Sequence, residues 1–120
     1  MTSAPVEESL DALLERTASG DKLAFRALYD RTSARLFAIC LRIARNRTLA
    51  EDFLQEAFAR VWERAPQFDR QRGSALAWMI ALTRHHAIDV IRMRGREVLS
   101  ADGAEFELPD QSTLAPAEAR

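Results

Sequence analysis

Apolar residues recur at three- and four-residue intervals in the first half of this chain, in two stretches separated by "SGD". Leucines set the spacing within residues 7–18. The second stretch, residues 22–45, follows Asp21, a residue type that favours helix N-caps. Its apolar stripe consists of Leu28, Leu36, Ile39 and Ile43. Each pattern predicts a helix that buries one side.

Two more helices are predicted in the second half. Thr48 with Glu51 three residues later matches a capping box, which places a helix start at Thr48. Pro66 ends this helix, and "PQFDRQRG" is typical of a loop. Ser74 can cap the last helix, which is predicted to stop near Gly95. No alternating strand pattern occurs, so we predict an all-α, compact bundle of about four helices.

The composition places the chain among globular proteins, with 48% hydrophobic and 29% charged residues. A single cysteine, Cys40, excludes an internal disulfide and an all-cysteine zinc site, which fits a reducing cytoplasm. The start "MTSAPVEESL" lacks the apolar segment of a signal peptide, and the run "ALAWMIAL" is too short to span a bilayer. We expect a cytoplasmic protein with no membrane insertion.

Charge is strongly segregated although the formal net charge is only −1. Between Arg70 and Arg96 there are six arginines and one acidic residue, Asp89. From Glu97 onward there are six acidic residues and one arginine. This distribution predicts a helical domain over residues 1–96 with a basic contact surface, followed by an acidic flexible linker over residues 97–120.

The third predicted helix has an apolar side and a polar side. The apolar positions, which should face the core, are Ala50, Phe53, Leu54, Ala57 and Val61. The opposite arc contains Asp52, Gln55, Glu56, Ala59 and Glu63. Two interpretations fit this arc: a solvated surface, or a docking surface for a basic partner.

The last predicted helix combines arginines with flat side chains. Its core positions are Leu76, Met79, Ile80, Thr83, Ala87, Val90 and Ile91. The other side carries Trp78, Ala81, His85, Asp89, Arg92 and Arg96, with Arg84 on a flank, Arg94 near the helix end, and Arg70 and Arg72 in the preceding loop. Guanidinium groups pair with phosphates, and flat side chains stack on unpaired bases. Trp78 fits either a core position or a base platform.

No arrangement typical of an enzyme occurs in the sequence. His85 and Asp89 have the i, i+4 spacing of a metal-ligand pair or of a simple hydrogen bond. A metal-dependent helical hydrolase that uses His85, His86 and Asp89 is therefore an alternative hypothesis. Without a nucleophile and base pair or a glycine-rich phosphate loop, we expect no catalysis and no cofactor.

Two motifs together resemble a known family. "AEDFLQEAFARVWERA", followed after a short loop by "GSALAWMIALTRHHAIDVIRMRGR", is similar to region 2 of bacterial sigma-70-type initiation factors, particularly the extracytoplasmic-function (ECF) group. "GDKLAFRALYDRTSARLFAICLRI" also resembles the way that domain begins. The resemblance covers about residues 8–96 and implies a transcription initiation domain with the sigma2 fold.

The resemblance also implies roles for both surfaces. The third helix would dock on the β′ clamp helices of RNA polymerase through Asp52, Gln55, Glu56 and Ala59. The loop and last helix would recognise and open the −10 promoter element, holding its non-template strand. The implied DNA-binding residues are Phe68, Arg70, Arg72, Ser74, Trp78, Arg84, His85, Arg92, Arg94 and Arg96.

Two departures accompany the resemblance. The family usually has asparagine where this chain has His85, just after Arg84. The family also has a second domain that reads the −35 element, whereas this chain ends at "LAPAEAR". Either the chain is a fragment that ends in the linker, which we favour, or the protein works without that domain. An anti-sigma factor is an expected partner, and a helical domain that acts mainly through such a regulator is a further alternative.

Overall fold

Four α-helices and one short 3-10 helix form the part of the chain that this computed structural model describes, residues 8–102, with side chains described for residues 8–95. The helices are α1 (Leu10–Ala18), α2 (Lys22–Ala44), α3 (Arg47–Arg64) and α4 (Ala75–Asp102), and the 3-10 helix, Ala65–Gln67, follows α3 directly. No strand occurs among these residues. The all-α prediction is confirmed.

Polar side chains cap the helix N-termini. The Ser9 side chain accepts the Ala12 N–H at 3.0 Å, and Asp21 accepts those of Leu23 and Ala24 at 3.0 and 3.1 Å. These bonds satisfy N–H groups that have no partner within the helix. The predicted caps at Asp21 and Ser74 are both confirmed, since the Ser74 hydroxyl accepts the Ala77 N–H at 3.1 Å.

The predicted capping box at Thr48 is wrong. Asn46 is the N-cap of α3, and its side-chain oxygen accepts the Leu49 N–H at 2.8 Å. Asparagine caps as well as threonine does, and it comes two residues earlier, so Thr48 lies inside the first turn. Glu51 does not reach back to the cap; it lies 3.5 Å from the Arg47 guanidinium one turn earlier.

The predicted helix end at Gly95 is also wrong, because α4 continues to Asp102. A C-terminal glycine ends a helix by adopting positive φ, and within residues 8–102 the glycines with positive φ are Gly20 and Gly73. Gly95 is a buried helical residue. A helical glycine costs about 1 kcal/mol, which good helix formers on both sides can offset. The rest of the predicted acidic linker, from position 103, lies outside the described residues.

The helices enclose one hydrophobic core. α2 lies at its centre and packs against α1, α3 and α4. The fully buried side chains with the largest volumes include Leu14, Leu28, Leu36, Phe53, Val61 and Met79. Tyr29 and Phe58 (ring centroids 4.7 Å apart) and Phe25 and Trp62 (5.3 Å apart) also join α2 to α3. These contacts fix the rotation of α3 about its axis and therefore which of its residues face outward.

Candidate nucleic-acid interface

The polar face of α3 points away from the core, as predicted. Asp52, Gln55, Glu56 and Ala59 are all exposed. All five predicted core residues of this helix, Ala50, Phe53, Leu54, Ala57 and Val61, are buried. Of the ion pairs formed among the described residues, none involves Asp52 or Glu56. The α3 outer face, defined here as these four exposed residues, is therefore a negatively charged surface open to a basic partner.

A groove runs along one edge of the α3 outer face. It has a volume of about 400 Å³, lies between α2 and α3, and shares Gln55 with that face. Tyr29, Phe37 and Leu54 give it apolar walls. The Arg47 guanidinium lies 5.4 Å from the centre of the Phe37 ring, a cation–π contact that holds this side chain across the groove. The groove was not predicted, because it depends on how α2 packs against α3.

The loop before α4 has a defined shape. Asp69 organises it: its carboxylate accepts the Gln71 N–H at 3.0 Å, and its carbonyl accepts the Arg72 N–H at 2.9 Å. A turn in which an Asp side chain accepts the backbone N–H two residues later is an Asx turn. The turn and the start of α4 enclose a cavity of about 390 Å³, called the loop cavity, lined by Gln67, Phe68, Asp69, Arg72, Gly73, Ser74, Ala77 and Trp78.

Four of the predicted DNA-binding residues meet at the loop cavity: Phe68, Arg72, Ser74 and Trp78. The Phe68 and Trp78 rings are in edge contact, with centroids 5.9 Å apart and planes at 63°. Both rings are partly buried and pack against the core. The two interpretations of Trp78 are therefore compatible, since one part of the ring packs on the core while the residue also lines a cavity.

Arg70, another predicted DNA-binding residue, points to α1. Its Nε and Nη2 donate to the two carboxylate oxygens of Glu15 at 2.9 and 2.7 Å. These hydrogen bonds and the charge of Glu15 raise the pKa of the Arg70 guanidinium. Both side chains are about half exposed. Arg70 therefore pairs with α1, and it is not among the residues that line the loop cavity.

A second cavity, of about 410 Å³, lies between α3 and α4. Trp78, His85, His86 and Asp89 of α4 line it, together with Arg60 and Arg64 of α3. The two α3 arginines were not predicted as site residues. Their i, i+4 spacing places both on the same flank of α3 and could have indicated this. The cavity therefore has two guanidinium groups on its α3 side and the Asp89 carboxylate on its α4 side.

His86 forms the floor of this second cavity. It is 9% exposed and makes an edge contact with Phe53, with ring centroids 6.1 Å apart. Burial lowers the pKa of His86, and the nearby Arg60 lowers it further, with Arg64 adding a smaller effect. The carboxylates of Glu56 and Asp89 act in the opposite direction. The net effect favours the neutral imidazole over the charged one.

Arg84, Arg92 and Arg94 of α4 are not among the residues that line these two cavities. Arg84 and Arg92 are half-buried, whereas His85 and Arg94 are exposed. The side chain of Arg96 lies outside the described residues. Within the described chain no three His, Cys, Asp or Glu side chains are grouped to hold a metal ion. None of the helices in this part of the chain is long and apolar enough to cross a membrane.

Residues 28–97, which include α3, the loop and most of α4, match the family profile described as Sigma-70 region 2. The chain belongs to the sigma-70 region 2 family. Its curated relatives include proteins named ECF RNA polymerase sigma factor SigK. Those of Mycobacterium bovis and Mycobacterium tuberculosis are each 39% identical over 93 residues, which cover 77% of this chain and 50% of the relative.

The SigK protein of Mycolicibacterium vanbaalenii is 38% identical over 87 residues, covering 72% of this chain and 44% of that protein. The chain spans about half the length of the curated relatives it matches. The sigma-70 region 2 domain is therefore shown for this chain, and the ECF group predicted from its motifs is confirmed by these relatives.

Proposed function

We propose that this domain docks on core RNA polymerase through the α3 outer face and holds unpaired bases of the −10 promoter element at the loop cavity and α4. The observation that carries the proposal is the placement of two different surfaces on one core. An exposed acidic stripe lies on the outer side of α3, and aromatic and arginine side chains line the cavities at α4.

The loop cavity supports binding of a single unpaired base. Its volume of about 390 Å³ falls within the range of small-molecule sites, about 300–1,000 Å³. Two aromatic rings offer a stacking surface, and the Arg72 guanidinium offers a phosphate partner. The cavity is formed by the loop and the start of α4, whereas reading the major groove of a closed duplex uses an exposed helix or β-ribbon. These features favour opened promoter DNA over double-stranded DNA.

The α3 outer face supports docking on a basic surface of the polymerase, for which the β′ clamp helices are the proposed partner. Docking surfaces gain association rate and specificity from complementary charge. Asp52 and Glu56 are one turn apart, and Ala59 on the next turn leaves room for close approach of a partner backbone. An anti-sigma factor is a second proposed partner. Such a regulator would block the domain by covering this face and the adjacent groove.

One experiment tests both surfaces. Core polymerase and the domain are mixed with a fluorescent forked DNA probe whose unpaired segment has randomised sequence, and bound probe is recovered. We expect enrichment of particular unpaired sequences with the wild-type domain, and weak recovery of the matched duplex pool. The double variant Asp52→Arg with Glu56→Arg should abolish recovery, because its positive charge would repel a basic docking surface.

Asp30→Asn is the control, because it also removes an exposed carboxylate but lies on α2. It should recover the probe like the wild type. Both double-variant positions are exposed, so the fold should be retained, which circular dichroism verifies. Unchanged recovery by a folded double variant would remove the docking assignment. Equal recovery of forked and duplex pools would remove the strand-holding assignment.

A further inference from the structure

Helix α1 is tied to the loop by two contacts that span more than fifty residues of sequence. The Asp11 carboxylate accepts the N–H of Ala75, the first residue of α4, at 2.7 Å. One turn later, Glu15 binds both Nε and Nη2 of Arg70. Asp11 and Glu15 are i, i+4 neighbours on one side of α1, so a single helix face fixes both ends of the segment 70–75. α1 lies outside the residues matched to the family profile.

The Asp11 contact completes the N-terminal cap of α4. Ser74 satisfies the Ala77 N–H, and Asp11 satisfies the Ala75 N–H that Ser74 does not reach. A carboxylate at this position also interacts favourably with the positive end of the helix dipole. Because the Asp11 carboxylate occupies the N-terminus of α4, its negative charge would repel a phosphate from that end of the helix.

The Glu15 contact decides what Arg70 can do. A bidentate guanidinium–carboxylate pair is directional and fixes the orientation of both groups. Arg72, two residues later, forms no ion pair within the described residues and lines the loop cavity instead. The two loop arginines therefore have different surroundings although they look equivalent in the sequence.

We propose that Asp11 and Glu15 are positioning residues for the DNA-reading loop, and that Arg70 anchors this loop to α1 while Arg72 makes its phosphate contact. This inference rests on the proposed function. The anchored loop keeps the Asp69 turn and the cavity in one conformation before DNA arrives, so less conformational freedom is lost on binding. A phosphate contact and an anchor differ in salt dependence, and this difference makes the roles separable.

The test measures fluorescence anisotropy of a single strand enriched by the wild-type domain, with core polymerase present, across a sodium chloride series. Glu15→Gln and Arg70→Gln should each weaken binding about three- to tenfold, and the double variant should be no weaker than either single variant, since one contact is lost in all three. Neither single variant should change the slope of affinity against salt. Arg72→Gln should flatten that slope by about one contact.

Matched controls come from the Arg26–Asp30 pair on α2, which is also exposed and is separated by 3.3 Å. Arg26→Gln and Asp30→Asn change the net charge in the same way without touching α1 or the loop, and should bind like the wild type. The exchanged pair, Glu15→Arg with Arg70→Glu, should bind more tightly than Arg70→Glu alone, because it can restore the anchor.

Several results would overturn the inference. Tighter binding by Glu15→Gln together with a flatter salt slope for Arg70→Gln would mean that Glu15 masks a phosphate-binding Arg70. Additive losses in the double variant, or no loss in Glu15→Gln, would also contradict an anchor. If the wild type enriches no strand while the anchor contacts prove intact, the proposed function fails on its own.

Amide hydrogen exchange of the free domain tests the anchor without DNA. Asp11→Ala should accelerate exchange at Ala75 and Arg72, whereas Asp11→Asn, which retains an acceptor oxygen, should keep most of the protection. Glu15→Gln should accelerate exchange at Arg72 more than at Ala75. Unchanged exchange at both amides in Asp11→Ala and Glu15→Gln would show that α1 does not order the loop.

Discussion

Phe53 is the residue whose truncation most directly tests how α3 is oriented. Its side chain is 2% exposed and packs against the ring of His86. Phe53→Ala removes a buried aromatic ring and leaves a cavity, which typically costs about 3–5 kcal/mol. A domain of about 95 residues has a total stability of roughly 5–14 kcal/mol, so this single change removes a large share of it.

Urea unfolding followed by circular dichroism measures this loss. With a slope of about 1–1.5 kcal/mol per molar urea, the midpoint should fall by about 2–5 M. Asp52→Ala is the matched control, because the neighbouring residue lies on the exposed side and should change stability by no more than about 0.5 kcal/mol. Similar midpoints for Phe53→Ala and wild type would mean that α3 is rotated, and then Asp52 and Glu56 would no longer form an outer face.

Two further predictions concern buried titratable groups. Because the pKa of His86 is lowered in the folded state, the unfolded chain binds a proton first, so stability should fall as the pH drops below about 6.5. In urea titrations at several pH values, His86→Gln should reduce this loss; the same pH dependence of stability in His86→Gln and in the wild type would contradict the prediction. Cys40 is fully buried, and burial raises the pKa of its thiol to about 11, so Ellman's reagent should label it only through unfolding. Labelling of the native domain as fast as that of a free thiol would refute this.

The apolar periodicity was sufficient to predict the four helices and the buried side of α3. Burial of one face is determined by local spacing, so Phe53 and Val61 could be placed without knowledge of the other helices. Helix ends were less predictable, because Asn46 and Thr48 are both acceptable caps and only packing decides between them. The end of α4 is equally hard to predict from sequence, since a glycine such as Gly95 next to good helix formers can either end a helix or continue it.

The residues missed in the site are those brought in by distant parts of the chain. The i, i+4 spacing of Arg60 and Arg64 indicates that they share one flank of α3, but that this flank faces the α3–α4 cavity depends on how the two helices pack. Glu15 and Asp11 reach the loop across 55 and 64 residues. Arg70 and Arg72 could not be distinguished by sequence, because their difference lies in a partner on another helix. The contributions of the predicted site residues to DNA and polymerase binding stay predictions.

α3 carries acidic residues on its outer side and, two turns later, arginines that line the cavity beside α4. Asp52 and Arg60 are eight residues apart on an unbroken helix, a rise of about 12 Å along its axis. Under the proposed function, this helix holds the polymerase-binding surface and the DNA-binding surface at a fixed distance from each other. Polymerase bound at one side would therefore set where the DNA lies at the other. The opened strand would then bind at a set distance from the polymerase surface, because the continuous helix between the two sites has no hinge that could change this distance.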